Sequence, residues 1–437
     1  MVSIATYSTY DEYQNSGAQW LGEVPKTWEL TRLGTRFIER RTKVSDIDYP
    51  ALSVTKQGIL PQLENAAKTK DGDNRKLVKA GDFVINSRSD RKGSSGVSDR
   101  DGSVSLINIV LEPKGIHPKY SQHLLKSYAF IEEYYRVGRG IVADLWTTRY
   151  DEMRTVTIAV PSYEEQTAIA NFLDKKTAQI DEAIAIKEKQ IELLKERKQI
   201  IIQQAVTQGL NPNAPMKDSG VDWIGYIPEH WEAIKLGHLV KILVDGTHHS
   251  PKSFTEGDFL YITSKNIKEK GVDLRDISYI SKKDHEEIYA RCPVKQGDVL
   301  YIKDGAMAGV ATVNQIKEPF SLLSSVALIR PTERVLAEYF KHFLNSEVIR
   351  GYLKTQIVGG AITRLTLELI NRFKVVVPPI NEQEKLVDHI NYESSKFERA
   401  LLLQQQQIEK LKEYKTTLIN SAVTGKIKVP EVDSELS

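Results

Sequence analysis

An internal repeat is the feature that most constrains how this chain can fold. The stretch GAQWLGEVPKTWELTRLG, from Gly17 to Gly34, has a counterpart in GVDWIGYIPEHWEAIKLG, from Gly220 to Gly237. Both copies keep two tryptophans, a proline between them and a closing Leu-Gly pair, at an offset of 203 residues. A repeat of this length predicts two similar halves joined head to tail, and therefore a pseudo-two-fold molecule.

Three further matches follow in the same order along the chain. A Gly-Asp pair at Gly81 recurs at Gly297, and VPSYEEQ, which ends at Gln166, recurs as VPPINEQ, which ends at Gln383. The third motif, AVT, stands near the end of each half. The offset is 203 at the opening repeat but 216 at the Gly-Asp pair and 217 afterwards. Each half therefore has fixed ends and a variable middle.

The composition is typical of a globular protein from a reducing compartment. The chain has 437 residues, of which 41% are hydrophobic and 27% charged, and its formal net charge is +2. A nucleic-acid footprint would therefore have to be local. Cys292 is the single cysteine, which excludes an internal disulfide and predicts a small buried hydrophobe. Because we find neither a signal-peptide pattern nor a run of about 18 apolar residues, we expect a cytoplasmic protein without a membrane span.

The middle of each half has the pattern of a globule that mixes strands and helices. Short β-branched runs bounded by Gly, Asp and Pro predict strands, and one amphipathic stretch per half predicts a helix. The strand segments are YPALSV, DFVINS and SVSLINIVLEP in the first half and DFLYITS, GDVLYI and VALIRP in the second. The helical segments are PKYSQHLLKSYAFIEEYYR and ERVLAEYFKHFLNSEVIRGYLK.

The end of each half predicts a long helix. Ser162 stands three residues before Glu165, and Asn381 three residues before Glu384, which is the spacing of a capping box. Apolar residues then recur with heptad spacing, interrupted by lysines, and so form a seam along each helix. The seam residues are Ile180, Ile184, Ile191, Leu194, Lys198 and Ile201 in the first helix and Leu401, Ile408, Leu411, Lys415 and Leu418 in the second.

A helix with such a narrow apolar seam needs a partner. Each predicted helix has about 31 residues, or roughly 46 Å of length. The first leads from one globule to the other and the second leads back, so a pair of them would be antiparallel. The alternative is that each helix packs on its own globule.

These motifs resemble the specificity subunit of type I restriction-modification enzymes. The resemblance covers nearly the whole chain and rests on WIGYIPEHWEAIKLG, VPPINEQ and LLKERKQIIIQQAVTQGL, together with VDGTHHSPKSFTEGDFLYITSKNI, which is typical of the family's target-recognition domains. It implies an α+β fold with two α/β target-recognition globules separated by two long antiparallel coiled-coil helices. The expected boundaries are 1–163 for the first recognition domain, 164–209 for a central helical spacer, 210–380 for the second recognition domain and 381–437 for a distal spacer and tail.

The resemblance also implies a division of labour among several chains. In this family each globule reads one half of a bipartite sequence in double-stranded DNA. The paired helices act as a ruler and bind two methyltransferase subunits, which motor-nuclease subunits then join. We expect S-adenosylmethionine, ATP and Mg²⁺ in those partner subunits and no cofactor in this chain. The first globule departs from the family pattern, because RRTKVSDIDYPALSVTKQGI stands in place of a DGTHxxP stretch.

The motifs of a catalytic subunit are absent from the sequence. An adenine methyltransferase needs an NPPY-like stretch and a glycine-rich cofactor loop, but VPPI lacks the Asn and the aromatic residue, and IVGGAI is only a diglycine. No GxxxxGK[ST] stretch is present for ATP. His248 and His249 are adjacent, which is a poor spacing for two ligands of one metal ion. We therefore expect a non-catalytic chain without a metal site.

Polar and basic loops are the candidate DNA-binding elements. Lys and Arg contacts to phosphates supply affinity, and contacts to base edges supply specificity. Each candidate could instead be an ordinary solvated loop residue, and only the resemblance favours the group as a whole. The candidates are Lys56, Arg88, Arg91 and Lys92 in the first globule and Thr247, His248, His249, Lys252, Ser264, Lys265, Asn266 and Lys303 in the second.

The sequence therefore predicts the DNA-specificity subunit of a type I restriction-modification complex. The alternative is a stand-alone bivalent DNA-binding or scaffold protein without a methyltransferase partner, which co-purification would distinguish. An enzyme is a third possibility, and the missing motifs count against it.

Overall fold

The chain forms two compact units, each with one globule and a part of each of two long helices. Met1–Glu188 and Gln405–Ser437 form the first unit, and Lys189–Gln404 form the second. The computed structural model describes residues 7–63, 72–140, 146–356 and 364–430.

The first globule combines short strands with short helices, and a long helix follows it. The strands are β1 (Tyr13–Asn15), β2 (Glu23–Pro25), β3 (Glu29–Arg32), β4 (Phe37–Glu39), β5 (Lys43–Val44), β6 (Leu52–Thr55), β7 (Gly58–Pro61), β8 (Arg75–Val78), β9 (Phe83–Asn86), β10 (Ser95–Val97), β11 (Gly102–Val104), β12 (Asn108–Pro113) and β13 (Thr157–Val160). The helices are α1 (Leu33–Arg36), α2 (Pro118–Lys126), α3 (Tyr128–Arg136), α4 (Tyr150–Met153) and the long α5 (Tyr163–Gln208).

The second globule repeats this order of elements and ends in the second long helix. Its strands are β14 (Met216–Asp218), β15 (Tyr226–Pro228), β16 (Glu232–Lys235), β17 (Val240–Asp245), β18 (Phe259–Ile262), β19 (Ile267–Lys268), β20 (Gly271–Val272), β21 (Ser278–Ile280), β22 (Val299–Ile302), β23 (Ala311–Val313), β24 (Ser321–Leu322), β25 (Val326–Pro331) and β26 (Lys374–Val377). Its helices are α6 (Lys282–Arg291), α7 (Ala337–Leu344), α8 (Glu347–Gln356), α9 (Leu367–Arg372) and the long α10 (Ile380–Val423).

Sheet topology confirms the internal repeat. An antiparallel sheet of order β4-β12-β9-β10 in the first globule has its counterpart in β17-β25-β22-β23 in the second. The two-stranded pairs β1-β2 and β3-β13 likewise correspond to β14-β15 and β16-β26. The inner strands β9 and β22 are almost wholly buried, because helices and a second sheet cover the faces of each four-stranded sheet.

Each amphipathic stretch that predicts a single helix forms two helices. In the first globule α2 ends and α3 begins around Ser127, which is extended and whose hydroxyl accepts a hydrogen bond from the Phe130 amide at 3.2 Å. In the second globule the break between α7 and α8 falls at Asn345 and Ser346. The single-helix prediction is wrong because a capping serine can start a new helix without disturbing the apolar periodicity.

The two long helices exceed their predicted length. They contain 46 and 44 residues, which corresponds to roughly 69 and 66 Å. Ser162 caps α5, since its hydroxyl accepts the Glu165 amide at 3.2 Å. The cap predicted at Asn381 is wrong, because α10 already begins at Ile380 and the Glu382 amide donates to the Pro379 carbonyl at 2.9 Å.

The long helices pack together in antiparallel fashion within each unit. In the first unit the Lys415 ammonium lies 2.6 Å from the Asp181 carboxylate, and in the second unit Lys198 lies 3.4 Å from Glu398. Residue numbers thus rise along α5 while they fall along α10. The two lysines that were predicted to interrupt the apolar seam therefore reach acidic groups on the partner helix.

The predicted seam residues all lie on the less exposed sides of the helices. Each of them is buried or partly buried, and in the first unit Ile180 of α5 and Leu418 of α10 belong to one hydrophobic core with the globule. The long helices therefore pack on each other and also on a globule, so the two arrangements considered from the sequence are not exclusive.

The repeated opening sequence packs against the first turn of a long helix. We call the packing site around Trp28 in the first unit, and around Trp231 in the second, the seat of the helix. Trp28 and Trp231 are both 1% exposed. The Trp28 indole N–H donates to Glu165 at 3.1 Å, and the Trp231 indole N–H donates to Glu382 at 2.9 Å. The side chain of Glu165, predicted to complete a capping box, therefore binds a tryptophan instead. These equivalent bonds explain why the tryptophan and the Glu-Gln pair recur together.

Each seat also holds the last turn of the other long helix. Gly425 follows α10 and approaches Trp28 in the first unit, whereas Gly209 follows α5 and approaches Trp231 in the second. Both glycines have positive φ, at 71° and 76°, which is the usual way a helix ends. The AVT motif near the end of each half thus belongs to the same packing unit as the opening sequence.

The repeated Gly-Asp pair closes a turn at the base of each four-stranded sheet. Asp82 and Asp298 are both 2% exposed. Arg40 donates to Asp82 and Arg330 donates to Asp298, each through its Nε at 2.7 Å. These carboxylates raise the pKa of both arginines above the usual value. The pair therefore belongs to the common framework rather than to a variable loop.

Candidate nucleic-acid interface

Several strands of the second globule end at one short segment, Leu322–Ser325. The Thr247 amide donates to the Leu322 carbonyl at 2.8 Å, and the Lys303 amide donates to the Ser325 carbonyl at 2.9 Å. The Ser264 amide donates to the Ser325 hydroxyl at 3.4 Å. Three predicted DNA-binding residues that are distant in sequence therefore converge on one part of the globule.

Close packing at Gly246 shapes the loop that carries the two adjacent histidines. A Cβ added there would lie 1.9 Å from the Leu322 carbonyl oxygen, so only glycine fits between Asp245 and Thr247. The loop then turns outward, and His248 and His249 are exposed. The tight approach of the backbone fixes where these two side chains emerge.

Lys303 is buried in a network of charges at the base of this loop. Its side chain is 3% exposed, and its ammonium lies 3.4 Å from Asp245 and 3.3 Å from Asp304. Asp245 also accepts from Arg291 at 3.1 Å and lies 3.2 Å from the His248 ring nitrogen. A buried charge persists only when it is paired in this way. The Lys303 ammonium therefore faces carboxylates of the protein rather than the surface.

Asn266 also has a structural environment. It is 2% exposed, and its carbonyl oxygen accepts the Thr263 amide at 3.1 Å. Its amide nitrogen donates to the carbonyls of Asp273 and Asp276 at 3.1 and 3.2 Å. Because these bonds occupy both ends of the side chain, Asn266 closes the loop and leaves the neighbouring Lys265 at the surface.

The remaining candidates in the second globule are exposed. Lys265 is half-exposed and forms an ion pair with Asp276 at 2.9 Å. Lys252 stacks over the Phe254 ring, with 5.4 Å between the ammonium and the ring centroid. Phe254 is itself 44% exposed. Cations beside an exposed aromatic ring offer both phosphate and base-stacking contacts to a nucleic acid.

Lys56 lies at the tip of the β6–β7 hairpin in the first globule. The side chain is exposed, while the backbone carbonyl accepts a hydrogen bond from Lys126 at 3.0 Å. A parallel bridge joins Ala51, just before β6, to β11. In the second globule β18 pairs in the same parallel way with β24, so β6 corresponds to β18. Lys56 and Lys265 therefore follow equivalent strands.

The other basic candidates of the first globule share one loop, residues 88–92. In the first globule the Thr148 amide donates to the Ser87 carbonyl at 3.0 Å. The equivalent bond of the second globule runs from the Leu365 amide to the Lys303 carbonyl at 2.7 Å. Loop 88–92 thus corresponds to residues 304–308 of the second globule. Arg88, Arg91 and Lys92 are exposed; Arg91 lies 3.5 Å from Asp90, and Lys92 pairs with Glu132 at 2.7 Å.

Sequence reasoning missed three charged residues at these loops. Asp245 was overlooked because no acidic loop residue was considered, although it directly precedes the Gly-Thr-His-His run. Arg291 was overlooked because it ends α6 and does not stand in a loop. Lys126 binds the carbonyls of Lys56 and Ser95, and burial lowers its pKa. Its position on α2 gives no sequence signal for this contact.

The long helices carry exposed apolar residues on the sides that face away from the seam. Large aliphatic side chains seldom stay exposed at regular spacing without a partner. On α5 they recur every seven residues, and on α10 two are adjacent. They are Ile186 (52% exposed), Leu193 (52%) and Ile200 (38%) on α5 and Leu402 (54%) and Leu403 (56%) on α10.

Three other observations concern Cys292, metal ligands and membrane-spanning helices. Cys292 is fully buried, as predicted, and burial raises its pKa to about 12. Within residues 7–63, 72–140, 146–356 and 364–430, no group of three His, Cys, Asp or Glu side chains is arranged to hold a metal ion. In the same part of the chain no helix combines the length and the apolar character needed to cross a membrane.

Comparison with known proteins agrees with this architecture. Residues 228–413 match the family model described as type I restriction modification DNA specificity domain. The type I restriction enzyme MjaVIII specificity subunit of Methanocaldococcus jannaschii is 23% identical over 94% of this chain and 95% of its own length. The HsdS subunit from Thermoanaerobacter tengcongensis has a similar fold, with a TM-score of 0.54 and 16% identity over 92% of this chain and 98% of that one.

A second solved structure is closer in shape. It comes from a work on complex assembly and conformational transition of the type I R-M system, and it matches with a TM-score of 0.69 at 17% identity, over 92% of this chain and 98% of that chain. The repeated α+β globules and the antiparallel helices are thus shared with solved structures of type I restriction-modification proteins, and residues 228–413 match a DNA specificity domain. Over nearly its whole length the chain is similar to type I restriction enzyme specificity subunits.

Proposed function

We propose that this chain reads a bipartite sequence in double-stranded DNA, one half with each globule, and docks two methyltransferase subunits on its long helices. The observation that carries the first part is the convergence of Thr247, Ser264 and Lys303 on Leu322–Ser325. The corresponding loops of the first globule carry Lys56, which follows the strand equivalent to the one before Lys265, and Arg88, which stands at the position of Asp304. Two similar surfaces on two similar globules suit two half-sites.

The distribution of charge supports DNA binding through loops. The net charge of the chain is only +2, so attraction to DNA cannot come from the molecule as a whole. Exposed cations nevertheless occur at the ends of the strands, and they include Arg88, Arg91 and Lys252. Phosphate contacts from such residues would position the duplex while neighbouring polar groups read the bases.

The exposed aliphatic residues of the helices support the docking of partner helices. Leu193 and Ile200 are seven residues apart on α5, so they form a heptad stripe on one face of the helix. In this proposal the methyltransferase subunits hold S-adenosylmethionine and perform the transfer. Motor-nuclease subunits use ATP and Mg²⁺, and this chain is a non-catalytic, cytoplasmic component.

Mapping of methylated adenines in the source genome tests the reading of DNA. A bipartite methylated sequence is the expected result, and its methylation should disappear when the gene for this chain is deleted. In vitro, methylation by the reconstituted complex should fail when either half-site is scrambled. A methylation pattern that does not change in the deletion strain would contradict the proposal.

Co-purification tests the docking surface. We expect the double substitution Leu193→Glu with Ile200→Glu to release the methyltransferase subunit, because two charges would enter an apolar interface. The matched control is Lys195→Glu, which changes charge at an exposed position of the same helix. If the double variant still binds methyltransferase, the docking surface lies elsewhere. If the wild-type chain binds specific DNA but no methyltransferase, it is a stand-alone bivalent DNA-binding protein.

A further inference from the structure

The buried ammonium of Lys303 connects two loops of the second globule. It pairs with Asp245, which directly precedes the histidine loop 246–249, and with Asp304, which opens the loop 304–308. At 3% exposure, the ammonium cannot approach a phosphate without leaving both carboxylates. Such a departure would leave two acidic groups, Asp245 at 9% exposure and Asp304 at 24%, with one cation fewer.

The backbone of Lys303 is fixed as firmly as its side chain. The amide donates to the Ser325 carbonyl at 2.9 Å, and the carbonyl accepts from the Leu365 amide at 2.7 Å. The ammonium is thus held at a defined point, and both loops are anchored to that point. A shift of either loop would have to break a buried ion pair, which is strongly unfavourable.

The first globule holds the corresponding loop without such a lysine. Ser87 occupies the position of Lys303, and Arg88 that of Asp304, as the equivalent backbone bonds from Thr148 and Leu365 indicate. The link that the Lys303 ammonium makes between two loops therefore has no counterpart at Ser87. Its removal should affect recognition by one globule and leave the other unchanged.

We propose that Lys303, through Asp245 and Asp304, is a positioning residue that fixes loops 246–249 and 304–308 for reading the second half-site. This inference rests on the proposed function, since it assumes that the second globule reads DNA. The side chain acts through the loops it holds and makes no contact with the duplex. Its role differs from that of Lys265, which is exposed and free to meet a phosphate by exchanging its ion pair with Asp276.

Hydrogen exchange on the full chain without DNA tests whether Lys303 fixes the two loops. Lys303→Met keeps most of the length of the unbranched side chain and removes its charge. We expect the amides of Thr247 and Leu365 to exchange faster in this variant, and to be unchanged in the matched control Lys265→Met. The double variant Asp245→Asn with Lys303→Met removes both members of the buried pair, so it guards against simple misfolding of the single variant. Unchanged exchange at both amides in both Lys303 variants would overturn the proposal.

Binding assays with the methyltransferase complex test whether the fixed loops determine recognition of the second half-site. The probes are a duplex with the genomic methylated sequence and two duplexes in which one half-site is scrambled. Lys303→Met should reduce discrimination at the second half-site by roughly 5-fold to 100-fold, the range of one lost base contact. Discrimination at the first half-site and the slope of affinity against salt should not change. Lys265→Met should instead reduce that slope by about one.

The outcomes separate this inference from the proposed function. The effects of Asp245→Asn and Lys303→Met on discrimination should not add in the double variant, because both break one link. Additive effects, or a reduced salt slope for Lys303→Met, would make Lys303 a direct DNA contact and overturn the positioning role. If the wild-type complex shows no sequence preference at all, the proposed function fails, while hydrogen exchange still decides whether Lys303 holds the loops.

Discussion

The two glycines that end the long helices provide a matched pair of perturbations. Gly209 and Gly425 occupy equivalent places, and both have positive φ. A left-handed conformation costs a non-glycine residue about 1–2 kcal/mol. Replacement of either glycine by alanine should therefore destabilise its seat by at least that amount, and any difference between the two must come from packing.

Packing at the two seats differs in a measurable way. At Gly209 an added Cβ would lie 3.1 Å from the Trp231 ring, a contact that a small shift relieves. At Gly425 it would lie 2.2 Å from Pro25 Cδ and 2.6 Å from Pro25 Cγ. Relief there requires the proline ring to move, and overpacking of this kind adds about 1–3 kcal/mol. We expect a loss of about 1–2 kcal/mol for Gly209→Ala and about 2–5 kcal/mol for Gly425→Ala.

The assay must resolve the two units, because a chain of this size need not unfold in one step. Hydrogen exchange followed by mass spectrometry can report separately on peptides around Trp28 and Trp231. Thermal unfolding adds a global scale, on which about 1 kcal/mol shifts the midpoint by roughly 2–4 °C. Gly425→Ala should accelerate amide exchange mainly in peptides around Trp28, and Gly209→Ala mainly in peptides around Trp231. Equal losses, or a larger loss for Gly209→Ala, would refute this account of how the helix ends pack.

Three further predictions follow from individual residues. Asn266→Ala should destabilise its loop by about 1–3 kcal/mol, because buried donors and acceptors lose their partner, whereas Lys265→Ala should not alter stability; chemical denaturation distinguishes them. Hydrogen bonding from His123 lowers the pKa of Asp174 below its usual value, so this group stabilises the fold above pH of about 4 and the stability is lost as pH falls further. Asp174→Asn should therefore flatten the acid limb of a stability profile, and an unchanged profile would contradict this. The raised pKa and full burial of Cys292 predict that a thiol reagent labels it only in denaturant; rapid labelling of the folded chain would contradict it.

Periodicity was sufficient to predict the main architecture but not where helices begin and end. The helix around Ser127 looks continuous in sequence, since its apolar positions keep their spacing across the break. At the start of α10 the spacing between Asn381 and Glu384 matches a capping box, yet Pro379 occupies the place that corresponds to Ser162. A motif defined by two side chains leaves open which of several overlapping registers the backbone adopts.

The roles of charged residues were harder to predict from the sequence than the positions of apolar residues. Lys303 and Lys265 both follow a strand and look alike in sequence, but one is buried and the other half-exposed. The difference depends on Asp304, which is the next residue in the chain, and above all on Asp245, which the fold brings to Lys303 from a distant part of the sequence. Nothing in the local sequence predicts such a meeting. The assignment of a lysine to DNA or to a buried ion pair therefore requires coordinates.

The repeat is strict in the framework and absent from the loops that we propose read DNA, and under that proposal the contrast predicts the symmetry of the target. Trp28 and Trp231 bind equivalent glutamates, whereas at corresponding loop positions the first globule has Arg88 and the second has Asp304. The exposed Arg88 can donate hydrogen bonds to a base edge, whereas Asp304 is paired with the buried Lys303. The two globules therefore should not select the same half-site, although they share a fold. We expect the methylated sequence to consist of two unrelated halves, and a palindromic target would show that these loops do not determine specificity.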